Sequence, residues 1–218
     1  HKMTAEKKVS YTTTNTYDTL NTFSSKTKNV WLVFHGMGYL SRYFIHHFAQ
    51  LDAAKNFIVA PQAPSKYYQG KNFKHVGASW LTRENTVLET ENVLAYVDQV
   101  FKTEKIDSAP NLIVLGYSQG VSIATRWLSS RKIKCDHLVL HSGGIPKELT
   151  KASFKYMPSS TVVTYLYGSK DQYINEARIT EEKIKGEDLF GKRLQIEVFN
   201  GVHEVNKEFL LQLSNADN

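Results

Sequence analysis

Only one cysteine, Cys135, occurs among the 218 residues. An intrachain disulfide is therefore excluded, as are zinc fingers and iron–sulfur clusters built on cysteine. Prolines number five and glycines twelve, far too few for a collagen-like fibre or a low-complexity array. No run approaches the ~20 apolar residues of a membrane-spanning helix. The N-terminal stretch also lacks the roughly 7–15-residue apolar core of a secretory leader. One cysteine and no leader together point to the cytoplasm. His1-Lys2 precede Met3 and read as a cloning remnant, with Met3 as the native start.

What is present suits a packed globule. Hydrophobic residues make up 41% and charged residues 22%, which excludes a disordered tail. At this length roughly 70% of the unfolded surface can be buried, and no linker interrupts the chain, so residues 1–218 read as one domain. Lys and Arg total 27 against 21 Asp and Glu, a net charge of +6. A nucleic-acid binder groups such charge on one face. Here it is dispersed, and even Lys183-Ile184-Lys185 is flanked by Glu181-Glu182 and Glu187-Asp188. The excess reads as a solubilising surface, with no nucleic-acid partner and no stable membrane insertion expected. The oligomeric state is read as monomer or homodimer.

Apolar runs and helical periods alternate along the chain. Val9–Leu20, rich in Thr and Tyr, reads as an exposed strand or hairpin arm. Asn29–His35 reads as a strand covered on both faces. Ser41 is a candidate helix cap, with Tyr43, Phe44, His47, Phe48 and Leu51 at helical spacing behind it. Strands are expected at Phe57–Ala60, Leu112–Leu115, His137–Leu140, Thr161–Tyr167 and Leu194–Phe199. Helices are expected at Glu84–Phe101, Val121–Leu128, Ile174–Ile184 and Glu204–Leu213. Residues 61–80 show no period and read as a loop. This order argues for an α/β fold, a mostly parallel sheet with helices on both faces. In such sheets reactive groups collect at the carboxyl ends of the strands.

After Leu112–Leu115 comes Gly116-Tyr117-Ser118-Gln119-Gly120. A Gly-x-Ser-x-Gly segment between strand and helix is a turn too sharp for side chains at its glycines. It lifts the serine hydroxyl above the sheet, before a helix N-terminus that favours negative charge. The alternative is a glycine-flanked turn whose serine caps the helix. A serine nucleophile needs a base within hydrogen-bond reach. Among eight histidines, His203 ranks first because it follows the last strand. His35 and His141 are rivals, although His35 sits in a glycine-rich loop and His141 suits the pocket wall or the core. Asp171, past the strand ending at Tyr167, is the carboxylate placed to orient the imidazole. Its alternative is an Asx-turn or helix cap. Asp136 precedes its strand and belongs at the wrong edge. His35-Gly36-Met37-Gly38-Tyr39 can turn a backbone N–H toward Ser118, so Met37 and Gln119 are the expected oxyanion residues through their N–H groups, their side chains mattering little. Tyr39, Tyr68, Trp80 and His141 are the candidate substrate contacts. Tyr67, Tyr68, Phe73 and Trp80 offer apolar surface, either as a pocket wall or as cover for the sheet.

At this point the sequence resembles the α/β-hydrolase superfamily, and within it the small carboxylesterase, lysophospholipase and acyl-protein thioesterase branch. The matching segments are Phe34–Gly38, Ala60–Pro64 with Trp80, Gly116–Gly120, Leu166–Asp171 and Gly201–Glu204. The resemblance implies an α/β-hydrolase fold with Ser118 acylated by an ester, His203 as base and acid, and Asp171 as orienting group. No metal or organic cofactor is called for. Residues 66–83 are more aromatic and basic than in the thioesterases. The stretch from the Ser118 helix to Asp171 has no room for a large lid domain. The expectation is a serine carboxylesterase acting on small or short-acyl esters. Alternatives are a lysophospholipase or acyl thioesterase, a peptidase or carbon–carbon hydrolase with the same triad, and a catalytically silent binding module.

Overall fold

A computed structural model describes residues 2–216; His1, half of the inferred cloning remnant, lies outside them. In chain order the elements begin with β1 (Tyr17–Leu20), β2 (Asn29–Phe34), α1 (Ser41–Phe44) and β3 (Asn56–Pro61). Then come β4 (Ser65–Gln69), β5 (His75–Ser79), α2 (Thr86–Thr103), β6 (Leu112–Tyr117) and α3 (Gly120–Arg131). The chain closes with β7 (His137–His141), β8 (Val162–Gly168), α4 (Glu176–Phe190), β9 (Leu194–Phe199) and α5 (Lys207–Asn215).

Seven strands form one sheet in the order β1-β3-β2-β6-β7-β8-β9. Only β1 runs antiparallel. Every residue of β2, β3 and β6 is buried, as continuous apolar runs demand when helices cover both faces. Alternation along β2 and β6 then sorts the core. Val30, Leu32, Phe34, Leu112 and Val114 pack with α2, α3 and α4 residues such as Val97, Trp127 and Leu189. Trp31, Val33, Ile113 and Leu115 face the other way, toward Phe44, Phe48, Phe209 and Leu210. From β2 the chain winds outward to β3, then returns to β6 and proceeds the opposite way. The crevice at the carboxyl ends of β2 and β6 is the switch point where such sheets bind ligands.

Four expectations need correction. Only Tyr17–Leu20 of the Thr-rich arm is a strand, an edge pairing with β3; residues 9–16 bury too little to be held in a ladder. Ser41 starts one short helical turn and caps nothing. Its hydroxyl donates instead to Asp18 at 2.6 Å and to Gln62 Oε1 at 3.0 Å. The aperiodic stretch 61–80 is no simple loop, since β4 and β5 pair there as an antiparallel hairpin. All five β4 residues are exposed, so no alternation of apolar and polar side chains marked it. Finally, α5 begins at Lys207 rather than Glu204, with the Asn206 side chain accepting the Phe209 N–H.

Among the described residues, no helix is long and apolar enough to cross a membrane.

Candidate active site

The turn from β6 to α3 is dictated by close packing. A Cβ on Gly120 would lie 2.1 Å from the Phe34 carbonyl oxygen, and one on Gly116 would lie 2.6 Å from the Gly120 oxygen. Between these glycines Ser118 adopts φ +53°, a left-handed conformation unfavourable for a residue with a Cβ. The Ser118 N–H donates to the His141 carbonyl at 2.8 Å. The strain thus rests on a fixed backbone, and the hydroxyl stands at the carboxyl edge of the sheet.

His203 arrives on the loop after β9. Its Nε2 accepts from the Ser118 hydroxyl at 3.0 Å, and its Nδ1–H donates to Asp171 Oδ2 at 2.7 Å. The Asp171 side chain is wholly buried, whereas that of His203 is 20% exposed, so water reaches the ring but not the carboxylate. Asp171 combines the two roles weighed for it. Oδ1 accepts the Tyr173 N–H at 2.8 Å, an Asx-turn that fixes the carboxylate while Oδ2 meets the imidazole. Two rings absent from the sequence reading flank His203: Tyr117 at 5.3 Å and Tyr173 edge-on at 4.8 Å. Their only sequence signal was adjacency, one residue before Ser118 and two after Asp171.

The rival histidines are locked in other tasks. His35 is fully buried. Its Nε2 accepts the Ala63 N–H at 3.0 Å and its Nδ1–H donates to the Gly36 carbonyl at 2.8 Å. Burial pushes it down to about 4, leaving a neutral brace for the glycine-rich loop. His141, expected as a substrate contact, is also fully buried. Its Nε2 accepts the Asn206 N–H at 2.9 Å and its Nδ1–H donates to Ser142 Oγ at 2.8 Å. Burial, reinforced by the neighbouring histidines, pushes it down to about 3. It braces the loop that carries His203 and presents no surface to a ligand. Asp136 lies at the amino edge, its carboxylate accepting the Leu112 N–H at 2.8 Å.

Trp80 is another correction to the substrate-contact set. It is 1% exposed, packs 5.8 Å from Phe34 and 4.9 Å from His35, and donates its indole N–H to the His35 carbonyl at 2.7 Å. Tyr39 is half-buried, its hydroxyl paired with His47 Nε2 at 3.1 Å. Tyr68 stands exposed on β4, edge-on to Phe73 at 5.4 Å. Among the described residues, neither the Met37 nor the Gln119 backbone N–H donates to another protein group. Both are free to serve a ligand. The Gln119 side chain, expected to matter little, makes three hydrogen bonds to residues 79–81. No group of three or more His, Cys, Asp and Glu among the described residues is placed to hold a metal ion.

The fold recurs in known proteins. A phospholipase/carboxylesterase from Dyadobacter fermentans is similar with a TM-score of 0.65 and 21% identity, covering 94% of this chain and 96% of its own. Acyl-protein thioesterase 2 of Zea mays gives a TM-score of 0.66 at 15% identity, covering 91% and 95%. A Bacillus cereus carboxylesterase gives 0.61 at 16% identity, with 91% of each chain covered. No curated protein matches the chain by sequence. The family model for phospholipases and carboxylesterases matches residues 16–216. With a hydrolase-type sheet and a Ser–His–Asp arrangement at its switch point, the chain belongs to the phospholipase/carboxylesterase family of α/β-hydrolases.

Proposed function

We propose that this protein is a serine carboxylesterase that cleaves small or short-acyl esters through an acyl-enzyme on Ser118. The observation that carries the reading is His203 bridging Ser118 Oγ and Asp171 Oδ2 at 3.0 and 2.7 Å. In the first step Ser118 Oγ bonds to the ester carbonyl carbon while its proton passes to His203 Nε2. The charge on the former carbonyl oxygen is met by the N–H groups of Met37 and Gln119, each worth about 3–4 kcal/mol. The carbon–alkoxy bond then breaks, and the leaving oxygen takes the proton from His203. In the second step water gives a proton to His203 Nε2 as its oxygen bonds to the acyl carbon; the carbon–Oγ bond then breaks, Ser118 Oγ takes the proton back from His203, and the carboxylic acid leaves. The buried Asp171 holds one tautomer of the imidazole and stabilises its cation.

Substrate size follows from what fills the floor of the site. Tyr117, His141 and Trp80 are 3%, 0% and 1% exposed, so no acyl channel runs beneath Ser118 past these rings. This closed floor is the basis on which we propose a short acyl group. The substrate is a soluble small-molecule ester, and the compartment we propose is the cytoplasm, consistent with a buried free Cys135.

Two experiments test this. A fluorophosphonate probe should label Ser118, and Ser118→Ala should abolish both labelling and p-nitrophenyl butyrate hydrolysis, a loss of about 10⁴-fold or more. Retained turnover would exclude the nucleophile. An acyl series from acetate to palmitate should peak at butyrate or shorter; a palmitoyl maximum would replace the short-ester reading with a lysophospholipase or thioesterase.

A further inference from the structure

We propose that the Gln119 side chain is a positioning residue that sets the spacing between the two oxyanion donors. The inference rests on the assignment of those donors made above.

Strands β2 and β6 are neighbours in register, with Phe34 opposite Gly116. Beyond that pair the hydrogen-bonded ladder ends, although the two chains stay packed: a Cβ on Gly36 would lie 3.2 Å from the Ser118 Cβ. One enters the loop bearing Met37, and the other enters the turn bearing Ser118 and Gln119. Sheet hydrogen bonding therefore ceases to hold the donors together just where catalysis needs a fixed distance. Residues 78–81, leaving the β4–β5 hairpin, lie between the two. On the Met37 side, Gly38 N–H donates to the Ala78 carbonyl at 2.9 Å, and Ala78 N–H donates to Tyr39 at 3.0 Å. Gln69 Nε2 adds a bond to the Gly38 carbonyl at 3.1 Å. On the other side, among the described residues, the hydrogen bonds to this segment come from the Gln119 amide. Its Oε1 accepts the Trp80 N–H at 2.9 Å, and its Nε2 donates to Ser79 Oγ and to the Leu81 carbonyl, each at 2.9 Å. Ser79 closes the ring by donating to the same Leu81 carbonyl at 2.8 Å.

The amide therefore uses its acceptor oxygen and both donor hydrogens on one strap, and the far end of that strap is bonded to the other donor loop. A glutamate could not replace it, because a carboxylate has no hydrogen for Leu81. Methionine matches the shape but breaks all three bonds while leaving the Gln119 backbone N–H in place. A positioning role makes a specific demand. The charged tetrahedral state needs both donors at once, whereas the neutral substrate does not.

The test compares Gln119→Met with the unsubstituted protein, using p-nitrophenyl butyrate and an aryl trifluoromethyl ketone that forms an oxyanion on the serine. Expected is a fall in kcat of about 10- to 100-fold, with KM within about twofold. Ketone affinity should fall in parallel with kcat while Tm moves little. An unchanged kcat overturns the proposal, and so does a joint change in kcat and KM tracking a large loss of Tm. Should Gln119→Met fail to fold, Ser79→Ala removes one arm of the strap and carries the test. A kcat reduced about threefold at constant KM is expected, and a kcat equal to that of the unsubstituted protein overturns the idea. Ser118→Ala keeps the two readings apart: its inactivity beside a fully active Gln119→Met sinks only the strap.

Discussion

The carboxyl edge of β6, β7 and β8 and the β4–β5 hairpin both border the candidate site, yet they are built on opposite principles. At the sheet edge the strands are buried. Ser118 and Ser142 there hold left-handed backbone at φ +53° and +57°, and His141 and Asp171 are buried with both polar ends bonded. On the hairpin, β4 exposes every residue, and the largely exposed Tyr68 and Phe73 meet edge-on at 5.4 Å. Left-handed backbone is not what separates the two regions, since the exposed Phe73 in the hairpin turn also holds φ +55°; the difference is burial and hydrogen bonding. The proposed reacting groups sit at the buried sheet edge, and Tyr68, a proposed substrate contact, sits on the exposed hairpin. Gln119 joins the two regions.

If the sheet edge does carry the chemistry, Asp171→Asn should lower kcat by about 10⁴-fold with little change in KM, because Asn would favour the wrong imidazole tautomer. Steady-state kinetics on p-nitrophenyl butyrate check this. A loss under tenfold would break the contrast, since the buried carboxylate would then be structural.

Acid should expose the same region next. His35 is pushed down to about 4 and His141 to about 3 by burial, from an ordinary 6.5, and His137, at the amino end of β7, is likewise pushed down to about 4. The unfolded chain binds protons to these rings more readily than the folded one. Stability is thus fully present above pH 6.5 and is lost as the pH falls toward 4 to 3, about 1.4 kcal/mol per pH unit for each ring. Urea midpoints at pH 7, 6, 5 and 4 should decline over this window, and His141→Gln should flatten the slope. A midpoint that holds from pH 7 to 4 would show that protonation of these rings is not resisted.

The smallest effect belongs to the hairpin. Tyr68→Ala should leave kcat on p-nitrophenyl acetate unchanged and alter KM for longer acyl esters by about threefold, the scale of losing part of an apolar contact. A large fall in kcat would mean that the hairpin takes part in the chemistry and would erase the distinction.

The order of the seven sheet strands and five helices along the chain was legible because β2, β3, β6, β7 and β8 are buried, largely apolar runs, because β1 and β9 are marked by β-branched, aromatic or alternating residues, and because amphipathic helices repeat near 3.6 residues. Ser118, Asp171 and His203 were legible for a related reason, each following a strand (β6, β8 and β9) at an edge whose direction the alternation of strands and helices implies. The β4–β5 hairpin was not, since a strand exposed on every residue carries no hydrophobic pattern. Trp80 and His141 were misread as substrate contacts because an aromatic residue near a site has the same sequence signature whether it lines the pocket or fills the floor.

Chain order and local pattern alone thus determined the α/β architecture, the turn that presents Ser118, and the strand ends from which its partners come. Those features depend on neighbours in sequence and on which side chains avoid water. Tertiary structure alone decided the 3.0 Å approach of His203 to Ser118, the neutrality of His35 and His141, and the strap that Gln119 grips. Each of these depends on which distant backbone groups arrive alongside to desolvate or hydrogen-bond a side chain, and no local stretch of sequence encodes that.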